Sequence, residues 1–116
     1  MEPETWTWPE SLDALEAAPE THRLLFENDT VRVLETTIPP GHTTAVHTHR
    51  WPSVLYYVSI GHFVRRDAEE TIVVDTRGET IPQAGSAGWG EALPPHTLEN
   101  VDTVGIHIIG VELKRS

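Results

Sequence analysis

The chain has 116 residues, which fits a single domain, and its 18 acidic residues against 8 basic ones give a formal net charge of -10. This charge argues against binding to nucleic acid or to anionic membrane surfaces, because both partners need clustered Lys and Arg. The absence of cysteine excludes disulfides and thiolate-held metals, so any metal must be held by histidine and carboxylate. We expect a cytoplasmic protein, because the acidic start lacks the apolar run of a signal peptide and no later stretch is long enough to span a membrane.

Residues 1–21 differ from the rest of the chain, with six acidic residues and no Lys or Arg. Within this arm, residues 11–18 are compatible with a short helix that has Ser11 as its N-cap and Pro19 as its stop. Trp6 and Trp8 alternate as in an extended segment. We therefore expect an acidic N-terminal arm that packs on the rest of the domain or on a partner subunit.

Residues 22–116 have the pattern of β-strands separated by turns. Strands are predicted at 24–26, 31–38, 43–49, 54–60, 71–75, 97–100 and 104–113. The region 78–90 holds four glycines and is predicted to form turns that flank a short strand. Short strands with closely spaced turn signals predict an all-β sandwich or barrel.

One pair of histidines has the spacing of a metal site. His47 and His49 are two residues apart in a predicted strand, so their side chains project from the same face. Two imidazoles on an inward face supply half of the ligands that a divalent ion needs. The other five histidines are more widely scattered along the chain.

Two segments around these histidines resemble the signature motifs of the cupin family. The first runs from Gly41 through five residues to His47-Thr48-His49, and then from Val54 through six residues to Gly61. The second is His96, three residues and Asn100. The resemblance implies a double-stranded β-helix, or jelly-roll barrel, that forms a homodimer. It also implies a divalent metal ion held by His47, His49 and His96.

The chain departs from the family pattern at two positions. The family usually has a glutamate where Ser53-Val54 stands here, so the predicted ligands carry no charge that would compensate a dication. This predicts weaker metal retention or a preference for anionic substrates, unless Glu91 replaces the lost carboxylate. Leu93-Pro94-Pro95 replaces the usual proline and glycine before His96, which predicts a contracted or rearranged loop.

The position of the family's glutamate also predicts which residues of the next strand face the interior. It puts Val54, Tyr56 and Val58 inside, and Leu55 and Tyr57 outside. Tyr56 would then offer a hydroxyl to a ligand or a hydrogen bond within the core.

Several aromatic and imidazole side chains have two interpretations. Trp51 and Trp89 either wall the mouth of the pocket or simply pack. His107 lies in an apolar run and is predicted to be a core or pocket histidine rather than a ligand. Three histidines adjoin predicted turns and are expected to face solvent: His22, His42 and His62.

The first functional hypothesis is a metal-dependent enzyme, such as a dioxygenase or isomerase, that acts on a small, possibly anionic, organic molecule. Its ion would be Fe, Zn, Ni or Mn. The alternatives are a non-catalytic cupin that binds or senses a small molecule, and a metal-free structural cupin. We expect neither nucleic acid nor a membrane as a partner.

Overall fold

The structure is a computed structural model that describes residues 6–114. Residues 1–5, with which the acidic arm begins and on which part of the signal-peptide argument rests, lie outside the described part. Within residues 6–114, a 3-10 helix and one α-helix precede nine strands. The 3-10 helix is Glu10–Leu12 and α1 is Ala14–Ala17. The strands are β1 His22–Glu27, β2 Val31–Ile38, β3 His47–His49, β4 Ser53–Ser59, β5 Phe63–Asp67, β6 Ile72–Asp75, β7 Ala87–Gly90, β8 Leu93–Asn100 and β9 Ile106–Leu113.

These strands form two antiparallel sheets. The larger has five strands in the order β1-β2-β9-β4-β7, and the smaller has four in the order β3-β8-β5-β6. Residues of both sheets line one shared cavity, so the sheets face each other across it. The all-β double-sheet prediction is confirmed. No helix among residues 6–114 is long and apolar enough to cross a membrane.

The observed strands differ from the predicted ones in three places. β5 was not predicted, because three of its five residues are charged and the apolar alternation is weak. The predicted strand 43–49 shortens to His47–His49, although Thr43 forms an isolated bridge with Glu99. The sequence before His96 is not a rearranged loop, since β8 begins at Leu93 and pairs there with His49.

The inner row of the β2–β9 ladder supplies one wall of the interior. Cross-strand partners in this row are Leu34 with Gly110, Thr36 with Ile108, and Ile38 with Ile106, and all six line the cavity. Ile38 and Ile106 are almost fully buried. The same row continues to the pair of Arg32 and Glu112, so the pleat turns both of these charged side chains inward.

The predicted inward face of β4 is wrong. Val54, Tyr56 and Val58 are 41–46% exposed, whereas Ser53, Leu55 and Tyr57 line the cavity. A one-residue shift in parity moves every side chain of a strand to the other face. The neighbouring strand β7 fits this parity, because a Cβ on Gly88 would lie 3.0 Å from the Tyr57 hydroxyl and one on Gly90 would lie 3.1 Å from Leu55.

The outer face of the five-stranded sheet carries an apolar row instead. Val33 pairs with Val111, Val111 with Val54, and Val54 with Trp89. Val54 and Trp89 are exposed.

The expected homodimer and the expected cytoplasmic location stay predictions.

The described part of the N-terminal arm packs on its own chain. Ala14 and Ala18 are buried, and α1 contacts β1 and β3. Asp13 rather than Ser11 caps α1, since its side chain accepts a hydrogen bond from the Leu15 amide. Asp13 also bridges to Thr48 in β3, which brings the arm against the strand that carries the predicted metal ligands.

Candidate metal centre and ligand cavity

Three strands bring four histidines together at one side of the cavity. His22 begins β1, His47 and His49 lie on β3, and His96 lies opposite His47 on β8. The ring centroid of His47 is 4.6 Å from that of His22, 5.0 Å from that of His49 and 4.3 Å from that of His96. All four side chains line the cavity.

Each of these imidazoles uses Nδ1 for a hydrogen bond within the protein. The Nδ1 atoms of His47 and His96 lie 2.8 Å from the carbonyls of Ala45 and Pro94, and that of His22 lies 3.1 Å from the carbonyl of Ala18. A carbonyl only accepts, so Nδ1 carries the proton in these three rings and Nε2 keeps its lone pair. The Nδ1 of His49 contacts a carboxylate oxygen of Glu112 at 3.1 Å.

Burial keeps three of the rings neutral. His22, His47 and His96 are each no more than 5% exposed. Desolvation, reinforced by the neighbouring imidazoles, lowers the pKa of each of the three from 6.5 to about 3. A neutral imidazole is the form that coordinates a metal ion. These three rings can therefore bind a metal ion at neutral pH without first releasing a proton.

The expectation that His22 faces solvent is wrong. His22, His47 and His49 form the compact group, with one nitrogen from each ring within 4.8 Å of the others. His96, the third ligand implied by the motif, lies beside this group, its ring 5.7 Å from that of His49. No sequence pattern pointed to His22, because it stands alone at the start of a strand and enters the site only through the packing of β1 and the arm.

A carboxylate does stand behind the histidines, but it comes from β9. Glu112 is 3% exposed and is shared between His49 and Arg32, whose Nε donates to Oε1 at 2.8 Å. Arg32 in turn makes two hydrogen bonds to Asp13, at 2.8 and 3.0 Å. Behind the imidazole of His49, the hydrogen-bonded series therefore contains two carboxylates, Glu112 and Asp13, and one guanidinium, Arg32. The carboxylates outnumber the guanidinium, so the series adds negative charge behind that ring.

The cavity beside the histidines has a volume of about 440 Å³, within the usual range for a small-molecule site. Its walls are mostly apolar, from Leu34, Ile38, Leu55, Phe63, Leu98 and Ile106. Polar groups enter it from the histidine side, from Ser53 and Tyr57, and from Arg65 on β5.

The other predicted pocket residues lie elsewhere or at the edge. His107 is on the outer face of β9, where its Nε2 lies 2.8 Å from Glu35, so its assignment to the pocket is wrong. Trp51 does not line the cavity and packs against the guanidinium of Arg32, 5.1 Å from the ring centroid. Trp89 contributes to the lining but is 54% exposed, and its Nε1 donates to Glu91.

The remaining candidates do not join the histidine group. Glu91 lines the cavity but is exposed and lies outside the compact group. His42 and His62 also lie outside the cavity lining and are half-buried rather than fully exposed. The Nδ1 of His62 is held near the carbonyl of Thr76.

No protein-family model matches this sequence, and no curated protein sequence matches it. Solved structures do match, among them a cupin domain from Bordetella pertussis with 19% identity and a TM-score of 0.64, over 81% of this chain and 92% of that chain. An uncharacterised conserved protein with a double-stranded β-helix domain from Klebsiella pneumoniae has 15% identity and a TM-score of 0.52, over 82% of this chain and 84% of its own.

A third similar structure is that of the polyketide cyclase RemF from Streptomyces resistomycificus. It is 21% identical, with a TM-score of 0.52 over 84% of this chain and 67% of its own. At such low identities the similarity shows a common fold and does not transfer an activity. The chain therefore has the cupin fold, a double-stranded β-helix, as the resemblance of its histidine motifs predicted.

Proposed function

We propose that this protein binds a divalent metal ion through the Nε2 atoms of His22, His47, His49 and His96, and uses it to hold a small organic molecule in the adjoining cavity. The observation that carries this proposal is that all four imidazoles line one cavity with Nδ1 already engaged. Their free nitrogens are the atoms left to bind a ligand. His47 and His49 belong both to the compact group and to the motif, so they are its centre.

The donor set fits a divalent transition metal. Neutral imidazole suits Zn, Fe and Ni better than the hard ions that prefer oxygen, and Mn stays a further candidate. The hydrogen bonds from Nδ1 fix the orientation of each ring, and that of His49 is held by the carboxylate of Glu112. When bound, such an ion would supply Lewis-acid chemistry or a binding position for molecular oxygen.

The chain's own residues would give the cavity its selectivity. Apolar walls from both sheets favour ligands with an apolar body and limit the entry of water. Ser53 and Tyr57 offer hydroxyl groups from β4. Because the rings lie on strands rather than on loops, the site is held rigidly.

Binding without turnover is a second candidate function. The observation that favours it is Ser53, which lines the cavity at the position where a carboxylate is missing from the motif. Glu112, the buried carboxylate of the site, is already bonded to Arg32 and His49. A protein that binds a ligand in calorimetry and returns it chemically unchanged after incubation with metal and oxygen would support this second function.

Elemental analysis of protein purified without an affinity tag tests the metal proposal. We expect close to one divalent ion per chain, either as purified or after reconstitution with Fe(II), Zn, Ni or Mn. The double variant His47→Ala/His49→Ala should hold none. Removal of His22 or His96 alone should weaken binding, since each supplies one of the proposed ligands.

A matched control removes two histidines from outside the cavity lining. His42→Ala/His107→Ala has the same histidine count as the double variant but leaves the four cavity imidazoles intact. It should keep the ion. Equal metal content in both double variants, or no metal in the parent after reconstitution with every ion, would contradict the proposal.

A further inference from the structure

We propose that Arg65 binds the carboxylate of the molecule that occupies the cavity, so that the ligand is a small carboxylic acid with an apolar body. This deepens the proposed function and rests on it only in taking the cavity as the ligand site. It assigns a role to a side chain that the histidine site does not use.

The position of Arg65 follows from the register of the smaller sheet. Arg65 pairs with Leu98 on β8, and both side chains line the cavity. Two residues before Leu98 is His96, which lies on the same face and is therefore a diagonal neighbour of Arg65. The positive charge of Arg65 contributes to the lowered pKa of His96, which fits this proximity.

Arg65 lacks the partners that the structure gives to similar side chains. Its Nε is buried and, within residues 6–114, makes no hydrogen bond. Four other arginines in that part of the chain each form an ion pair with a carboxylate: Arg23, Arg32, Arg66 and Arg77. Arg66, the next residue, points to the other face of the sheet and bonds to Glu99 at 2.9 Å.

An unpaired guanidinium inside a protein is costly, because burial disfavours its charged form. Desolvation accordingly lowers the pKa of Arg65, with no carboxylate to offset it. Yet this cation lies in a chain with a net charge of -10, which offers many acids that could have paired with it. An anionic ligand would supply the missing hydrogen bonds and charge.

The surroundings favour a carboxylate over other anions. A guanidinium matches a carboxylate with two parallel hydrogen bonds, and one arginine balances its single charge. A phosphate monoester carries more charge and asks for more donors. Phe63, two residues before Arg65, and Leu98, its cross-strand partner, also line the cavity, and these apolar side chains suit a hydrocarbon or aromatic body.

Carboxylic acids paired with their own amides test this proposal. The probes are benzoate, phenylacetate and 3-phenylpropionate, each beside its amide, with phenyl phosphate as a further anion. Dissociation constants would be measured by NMR chemical-shift titration of the full chain at neutral pH, first after removal of metal. We expect at least one acid to bind the parent about tenfold or more tightly than its amide.

Substitution then identifies the residue responsible. Arg65→Met should abolish the preference for the acid, Arg65→Lys should keep it in weaker form, and the matched control Arg66→Met should leave it unchanged. Melting curves check that each variant is folded. If Arg65→Met does not fold, Arg65→Lys still decides the test. Equal binding of acids and amides by the parent, binding of none of the acids, or tighter binding of phenyl phosphate would each overturn the proposal.

Metal titrations on the same samples separate this inference from the proposed function. Arg65→Met should still take up the ion, and His47→Ala/His49→Ala should lose the ion but keep its preference for the acid. A parent that binds metal without preferring acids would refute the role of Arg65 alone. A parent that prefers acids but never binds metal would refute the metal centre alone.

Discussion

Arg32 and Arg65 both point into the interior from β-strands, yet their surroundings are opposite. Arg32 donates to Glu112 and Asp13, and these partners raise its pKa despite burial. Arg65 has no ion pair within the described part of the chain, and burial lowers its pKa. One arginine is neutralised by the fold and the other is not.

This difference separates a structural charge from one that is available to a ligand. The pairs around Arg32 join the N-terminal arm, β2 and β9 and orient His49 through Glu112. Arg32 therefore belongs to the support of the histidine cluster. Arg65 forms no ion pair with the described residues, its Nε has no hydrogen-bond partner among them, and its side chain lines the cavity. Four measurements test this contrast.

Replacement of Arg32 should have the largest effect on stability. Arg32→Met leaves the buried Glu112 and the part-buried Asp13 without their cation, which should lower the free energy of unfolding by about 3–5 kcal/mol. Urea denaturation measures this change. The control Arg66→Met breaks a more exposed pair and should cost less than about 1 kcal/mol. Similar losses in the two variants would contradict a structural role specific to Arg32.

Metal binding should stabilise the folded chain through the histidines. At a free ion concentration of about 100 times the dissociation constant, the gain should be about 2.7 kcal/mol. Differential scanning calorimetry before and after addition of a chelator measures it. His47→Ala/His49→Ala should show no chelator effect, and an equal shift in that variant would place the ion elsewhere.

The Asp13–Arg32 pair should make stability depend on pH in the acid range. Burial tends to raise the pKa of Asp13, but hydrogen bonds and the charge of Arg32 outweigh it and hold the pKa below its ordinary value of 3.8. A lowered carboxyl pKa means that the stabilisation is present above about pH 4 and is lost as the pH falls through the folded pKa.

Asp13→Asn isolates this contribution. At pH 7 it should be less stable than the parent by about 1–3 kcal/mol, since Arg32 loses a charged acceptor. The difference between the two proteins should shrink as the pH falls below 4. Melting temperatures across that range measure it, and a gap that stays constant would show that Asp13 is not titrating against Arg32.

Replacement of Arg65 should have the smallest effect and the opposite sign. Without ligand, Arg65→Met exchanges an uncompensated cation for a shorter apolar side chain. The free energy of unfolding should stay unchanged or rise by up to about 1 kcal/mol, as measured by urea denaturation. A loss comparable to that of Arg32→Met would reveal a structural partner and weaken the ligand role.

Local patterns predicted part of this site well. The spacing of His47 and His49 sets them on one face of a strand, and the motif around His96 led to the strand that pairs with them. Asn100, which ends that motif, is fully buried and donates to the carbonyls of Ile38 and Val104. The histidine spacing and the short motif that indicate these residues are local in the chain, so the sequence alone reveals them.

The rest depended on contacts between distant segments. His22, Glu112 and Arg65 reach the site from three different strands, and nothing near them in the sequence signals that. The predicted parity of β4 is wrong because the motif aligns the inward position with Val54, whereas Ser53 is the residue that lines the cavity. The glycines of β7 decide between them, and they lie more than thirty residues downstream.

X-ray absorption spectroscopy of the zinc-loaded protein tests the proposed metal centre most directly. We predict a first shell dominated by nitrogen at about 2.0–2.1 Å, with the outer-shell scattering of several imidazole rings. His47→Ala/His49→Ala, loaded in the same way, should lose that imidazole signal. A parent spectrum with only oxygen neighbours and no imidazole scattering would contradict a histidine-held ion in this barrel.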